Sequence, residues 1–187
     1  MATSSSEVDR ELHVIGRTVE TWNSRDVDGF LDCLTDDVYW DDPAMLRPAE
    51  NKLDVRRWCE TVGRAIPDFT FKICDAYLGS AHRYAVHWEA TGTMTGRFEP
   101  PGFAPTNRRF ATHGVDLIEF HDGRIRRIVT TFDGFRAAEQ MGLLPARPRP
   151  GSVSEWLTVR MQRVTAWFQR SSIMKGGNES SAAIPKC

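Results

Sequence analysis

The chain has 187 residues, enough for one domain with a substantial core and too few for two of ordinary size. Apolar residues make up 41% and the formal charge is −1, which is ordinary for a globular protein and offers no clustered basic face for nucleic acid. No apolar run approaches the roughly 20 residues of a membrane span, and the start Met-Ala-Thr-Ser-Ser-Ser lacks the basic and apolar regions of a secretion signal, so a cytoplasmic protein is expected.

Residues 1–6 are small and polar and read as disordered. From Glu7, Val8, Leu12, Ile15, Val19 and Trp22 recur at helical spacing, and Asn23-Ser24 breaks the pattern. Asp26 is the expected N-cap of a short helix carrying Val27, Phe30, Leu31 and Leu34. Asp36-Asp37 reads as a turn, and Val38-Tyr39-Trp40 as a strand ending at Asp41-Asp42-Pro43. A third helix fits Leu53 to Ala65, and Pro67 stops it.

Beyond Pro67 the period falls to two. Phe69, Phe71 and Ile73 alternate with polar neighbours along a strand reaching about Leu78. Further strands are predicted over Arg83–Met94, Arg109–Phe120 and Arg124–Phe132, with a proline-rich loop over Gly96–Asn107. His121-Asp122-Gly123 is the turn of a tight hairpin, because Asp-Gly readily supplies positive φ. Helices followed by hairpins define an α+β class. Phe135–Leu144 adds a short helix or turn. The expected organisation is one domain over 7–145, a stiff proline-rich linker over 146–151, an amphipathic helix over 152–170 and a disordered tail over 171–187. The helix presents Val153, Trp156, Leu157, Val164, Trp167 and Phe168 on one face. Burial against the parent domain or a second subunit is expected for it, hence a homodimer and not a membrane.

Cys33, Cys59, Cys74 and Cys187 form no C-x-x-C pair, and no histidine lies at ligand spacing from them. They read as three half-buried thiols and one tail thiol, with no metal centre. Gly-rich phosphate loops are also missing, so no cofactor is expected.

The stretch Arg25-Asp-Val-Asp-Gly-Phe-Leu-Asp-Cys-Leu-Thr-Asp-Asp-Val-Tyr-Trp-Asp-Asp-Pro43 resembles the NTF2-like superfamily, which includes SnoaL-type polyketide cyclases, ketosteroid isomerases and limonene-epoxide hydrolases. Thr91-Gly-Thr-Met-Thr-Gly96, Pro105-Thr-Asn-Arg-Arg-Phe110, Val115-Asp-Leu-Ile-Glu-Phe-His-Asp-Gly-Arg-Ile125 and Glu139-Gln-Met-Gly142 resemble the SnoaL type in particular. The likeness spans about residues 8–145. It implies a cone in which N-terminal helices close one side of a strongly curved mixed or antiparallel sheet around an apolar pocket.

The resemblance places the isomerases' general base at Asp42 and their protonated, hydrogen-bond-donating aspartate at Asp116. In the isomerases that second carboxyl is kept neutral by its apolar site. Chemistry agrees, because a carboxylate at an apolar pocket is partly desolvated and so more basic. Two structural readings compete. Asp41-Asp42-Pro43 also suits a turn capping backbone amides, and Asp116 could lie on a surface or pair with Arg127 or His113. SnoaL-type cyclases carry histidine at the position of Asp116, and their acid/base aspartate falls at Thr130, whose hydroxyl can orient a substrate but not act as that base. The isomerases' oxyanion tyrosine falls near Thr18. Trp40, Tyr39, Thr130, His87, Trp88 and Asp133 complete the candidate substrate-binding set.

Three functions follow. The first is a cofactor-independent enzyme acting on a carbon acid, of cyclase or isomerase type, with a small hydrophobic, polycyclic or polyketide-like carbonyl substrate. The second adds water to an epoxide through His87, Glu89 and Asp133. The third binds a small molecule or mediates subunit contacts without chemistry.

Overall fold

The computed structural model describes residues 4–144, 148 and 150–173, with side chains up to Trp167. The chain divides into two compact units, 1–145 and 146–187.

Helix α1 (Ser5–Ser24) starts with a capping box: Ser4 Oγ accepts from Glu7 N, and Glu7 reaches back to the Ser4 N–H. Ser5 and Ser6 are therefore helical and not disordered, since the box satisfies amides that a frayed end would leave to water. Arg25 ends α1 at φ 63°. Its guanidinium donates to the carbonyls of Trp22, Pro67 and Phe69, joining the end of α1 to the start of the sheet. Asp26 caps α2 (Val27–Asp32) by accepting from Gly29 N at 2.9 Å. A Cβ at position 29 would collide with that capping carboxylate, which accounts for the glycine. Asn51 caps α3 (Lys52–Ala65) in the same manner.

Five strands follow the predicted order: β1 (Leu34–Asp41), β2 (Thr70–Leu78), β3 (Arg83–Thr93), β4 (Arg109–His121) and β5 (Arg124–Phe132). They form one open sheet, β1-β5-β4-β3-β2. It is mixed, because β1 runs parallel to β5 while every other pair is antiparallel. The β4–β5 turn has Asp122 at φ 49° and Gly123 at φ 73°, as Asp-Gly predicts. Register slips at Cys74 in β2 and at Arg126 in β5 insert extra residues that bend the strands.

Asp36-Asp37 is not a turn. Both residues lie inside β1, where Leu34 pairs with Ile125 and Tyr39 with Arg127, so four β1 residues face one on β5. The acidic pair sits on this bulge and is neutralised from outside by Lys52 at 3.0 Å and Arg126 at 3.3 Å.

The main core joins Ile15, Phe30, Leu31 and Val55 of the helices to Val86, Ile118 and Ile128 of the sheet. Each such side chain contributes roughly 1.5–3 kcal/mol on burial. At one edge the ionisable side chain of Glu11 is buried, its residue only 3% exposed, and it is fully partnered. Its carboxyl accepts from Tyr84 Oη at 2.8 Å and meets His82 Nδ1 at 2.7 Å, tying α1 to the β2–β3 hairpin. Cys33 and Cys59 are buried, whereas Cys74 is exposed by its bulge, so the expectation of three half-buried thiols does not hold.

Helix α4 (Gly134–Met141) closes the first unit. The second unit contains α5 (Val153–Ile173). Val153, Trp156, Leu157, Val164 and Trp167 are exposed there, and Arg160 stacks on Trp156 at 4.9 Å. The Phe168 side chain, half of the predicted linker (146, 147 and 149) and the tail from 174 on lie outside the described residues, while 171–173, expected as disordered tail, continue the α5 backbone. Among the described residues no helix is long and apolar enough to cross a membrane.

Candidate active site

Strand alternation brings Asp116 inward. Along β4 the residues Phe110, Gly114, Ile118 and Phe120 are buried, and Asp116 shares their face. It is half-buried against a cavity of about 150 Å³ between the helices and the sheet. Trp22, Trp58, Phe69, Phe71, Phe98 and Phe110 supply much of the wall. Asp42 lines the same cavity from the turn after β1.

The turn reading of Asp42 holds, and the turn leaves its side chain at the cavity. Its Oδ1 accepts from Ala44 N at 2.8 Å in an Asx turn, which fixes the carboxyl at the cavity. Burial pushes its pKa up to about 6, opposed by the Ala44 amide and helped by the charge of Asp41. Asp116 pairs with neither Arg127 nor His113. Trp88 Nε1 donates to its Oδ1 at 2.9 Å, and its cross-strand neighbour on β5 is Thr130. Burial pushes Asp116 up to about 7, against hydrogen bonds from Thr130 and Trp88, with the charge of Asp42 adding to the rise. Thr130 is buried and accepts from Trp40 Nε1 at 3.0 Å.

Among the described residues lining the cavity, Asp42 and Asp116 are the only titratable ones. They sit close enough for the charge of one to act on the other. The arrangement can therefore hold one ionised and one protonated carboxyl near pH 6–7 without a cationic side chain between them.

Trp40, Thr130 and Trp88 of the predicted binding set line the cavity with the two aspartates. Tyr39, His87 and Asp133 are placed elsewhere. Tyr39 lies under the Arg127 guanidinium at 4.9 Å. His87 meets the His113 ring at 6.3 Å on the other face of the sheet, because Trp88 takes the inward position. Asp133 caps α4 by accepting from Arg136 N at 2.9 Å. Thr18 lines the cavity, but its hydroxyl donates to the Ile15 carbonyl at 2.7 Å and is not aimed as an oxyanion donor. Phe98, from the proline-rich loop, and Met141, from α4, also line the cavity, and strand alternation signals neither. Among the described residues no three His, Cys, Asp or Glu side chains gather as a metal site.

Gly114 makes room for this geometry. A Cβ there would stand 2.5 Å from both Trp88 Cζ2 and the Thr131 carbonyl. Gly114→Ala is expected to cost roughly 1–3 kcal/mol through overpacking and to displace the indole that donates to Asp116. Thermal unfolding with tryptophan fluorescence reads both effects. An unchanged melting temperature and spectrum would remove the close-packing argument.

A mixed, bent sheet with helices packed on one face around an acidic, apolar cavity defines an NTF2-like domain. The SnoaL-like domain model matches residues 15–128, and the chain belongs to that family. Solved structures agree on the fold. AclR of Streptomyces galilaeus, a proposed hydroxylase, is 22% identical over 74% of this chain and 89% of its own, with a TM-score of 0.62. A proposed SnoaL-like polyketide cyclase from Jannaschia sp. CCS1 is 15% identical over 78% and 99%, with a TM-score of 0.66. IdmH of Streptomyces antibioticus, a proposed polyketide cyclase, is 21% identical over 71% and 98%, with a TM-score of 0.59. No curated protein matches the sequence.

Proposed function

We propose that this protein is a cofactor-independent enzyme acting on a carbon acid, of the cyclase or isomerase type. The observation that carries the reading is that Asp42 and Asp116 line one apolar cavity with no other titratable group among its described lining residues. Asp42, with the lower pKa, removes a proton from the carbon beside a carbonyl. Asp116, with the higher, donates a hydrogen bond to the enolate oxygen. The enolate carbon then attacks a second carbonyl and closes a ring, the new alkoxide taking the proton that Asp42 carries, or a conjugated enolate takes that proton back at another carbon and a double bond shifts.

The cavity bounds the substrate. A volume of about 150 Å³ holds about one benzene-sized ring. The reacting part is therefore a single carbonyl-bearing ring or the end of a polyketide-like chain, with any further rings at the mouth. Support from relatives is of kind, since several neighbours of this fold are proposed polyketide cyclases. The epoxide reading is less supported, because His87, Glu89 and Asp133 are not among the residues around the cavity.

The test is deuterium exchange in heavy water, followed by NMR, on a panel of single-ring ketones and diketones. The expected rate traces a bell against pH. It falls on the acid side as Asp42 takes up a proton near 6, and on the alkaline side as Asp116 loses one near 7. Exchange that keeps rising well above pH 8 would remove Asp116 from the mechanism. Incorporation of labelled oxygen from water into an epoxide, without carbon-bound exchange, would favour the hydrolase reading instead.

A further inference from the structure

Thr130 stands where the resemblance to SnoaL-type cyclases expects an acid, yet it is not isolated. An indole N–H can only donate, so the 3.0 Å contact between Trp40 Nε1 and Thr130 Oγ1 makes the hydroxyl an acceptor there. One proton of that hydroxyl remains to be donated. The residue paired with Thr130 across β4–β5, on the same inward face, is Asp116. From the other side Trp88 Nε1, again donor-only, reaches Asp116 Oδ1 at 2.9 Å. The directions of the two indole bonds are thereby fixed, and the one Thr130 hydroxyl proton is left to face Asp116.

We propose that Trp40, Thr130 and Trp88 are positioning residues for Asp116, donors that converge on its carboxyl, steady the carboxylate form and so make the buried acid a stronger hydrogen-bond donor. This goes one step beyond the carbon-acid reading and rests on it for its purpose, because a more acidic carboxyl gives a stronger hydrogen bond to the enolate oxygen. These donors oppose the two influences that would keep Asp116 permanently protonated, burial and the charge of Asp42. Asp42, from the turn after β1, is the only other titratable group facing Asp116 among the described residues around the cavity. His113 and His87 stand off it, on the opposite face of β4 and β3. In this chain the position matching the cyclases' acid/base group therefore acts through its neighbour: Thr130 carries no titratable proton and sets the proton affinity of Asp116.

The experiment is a pH titration of the Asp116 carboxyl by carbon-13 NMR in the full-length protein, which needs no substrate. Thr130→Val, close to isosteric, removes the donated hydroxyl proton and is expected to raise the Asp116 midpoint by about one unit, a tenfold tighter hold on the proton. Its second sign is a shift of the Trp40 indole proton, which loses its acceptor. Thr130→Ser is expected to restore both. Trp88→Phe should also raise the midpoint, and Trp40→Phe should raise it less, because it breaks only the outer link. Should Thr130→Val fail to fold, the Trp40→Phe and Trp88→Phe titrations decide alone. A midpoint that stays put in a folded Thr130→Val protein, or that moves equally with Thr130→Ser, overturns the proposal. Failure here leaves the exchange chemistry of Asp42 standing, whereas failure of that chemistry leaves these titrations as they are.

Discussion

Asp42→Asn is expected to lower the rate of carbon-bound proton exchange by roughly 10²–10⁴-fold, the usual contribution of a positioned general base. The choice of asparagine matters. Its side-chain carbonyl can still accept from Ala44 N, so the Asx turn after β1 and the wall of the cavity are expected to persist. A loss of rate can then be read as loss of the base and not of the fold, provided that circular dichroism and melting temperature are unchanged. The same variant carries a second signature. Because the charge of Asp42 is one of the influences raising Asp116, removing it should move the Asp116 titration down from about 7. The alkaline limb of any residual activity would shift to lower pH with it. Retention of full exchange by a well-folded Asp42→Asn protein would end the mechanism proposed above.

Asp116→Asn is expected to make the protein more stable at pH 8 and less able to turn over substrate. The sign follows from proton linkage. The native state holds the Asp116 proton up to about pH 7, while an ordinary aspartate in the unfolded chain releases it near 3.8. Between those values the native state binds more protons, so stability falls as pH rises. The loss is complete above about 7 and absent below 3.8. The gap corresponds to roughly 4 kcal/mol. Part of that is returned by groups that would also serve an amide. The net gain at pH 8 is expected at about 1–3 kcal/mol, vanishing toward pH 4. Urea titrations of the two proteins at both pH values measure it. Equal stability at pH 8, or a gain independent of pH, would show that the native carboxyl is not held protonated. The same logic applies to Asp42 with a smaller gap, from 3.8 to about 6. Carrying two such groups in one apolar cavity is a stability cost of the kind active sites sustain for function.

Much of this architecture is written locally in the chain. Pro67 marks the change from helical spacing to alternation, and the strands after it run where alternation places them. Asp26 and the Asp122-Gly123 turn are legible because capping and positive φ depend on a few adjacent residues. Asp116 is legible for the same reason, since it occupies the buried phase of β4. What stays hidden is non-local. Nothing near Leu34–Asp41 announces a parallel partner some 90 residues on, because that pairing is set by packing and not by a turn. The choice between Tyr39 and Trp40 is a matter of one residue of register, and the bulge over 35–38 breaks the alternation that would otherwise decide it. Phe98 and Met141 reach the cavity from a loop and a short helix, where no periodicity points inward.

Cys59 offers a way to watch the molecule breathe. It is buried on α3, and burial pushes its thiol up to about 12, so in the native state it is both hidden and unreactive near neutral pH. Cys74, on the β2 bulge, is exposed and will react at once. With the other buried thiol removed as Cys33→Ser, a slow second phase of thiol modification would thus time the parting of α3 from the sheet, the same movement that opens the cavity roof carrying Trp58 and Val62. A compound seated in the cavity should lengthen that phase. The protein's own sulfur would then serve as a ligand detector before any reaction is known.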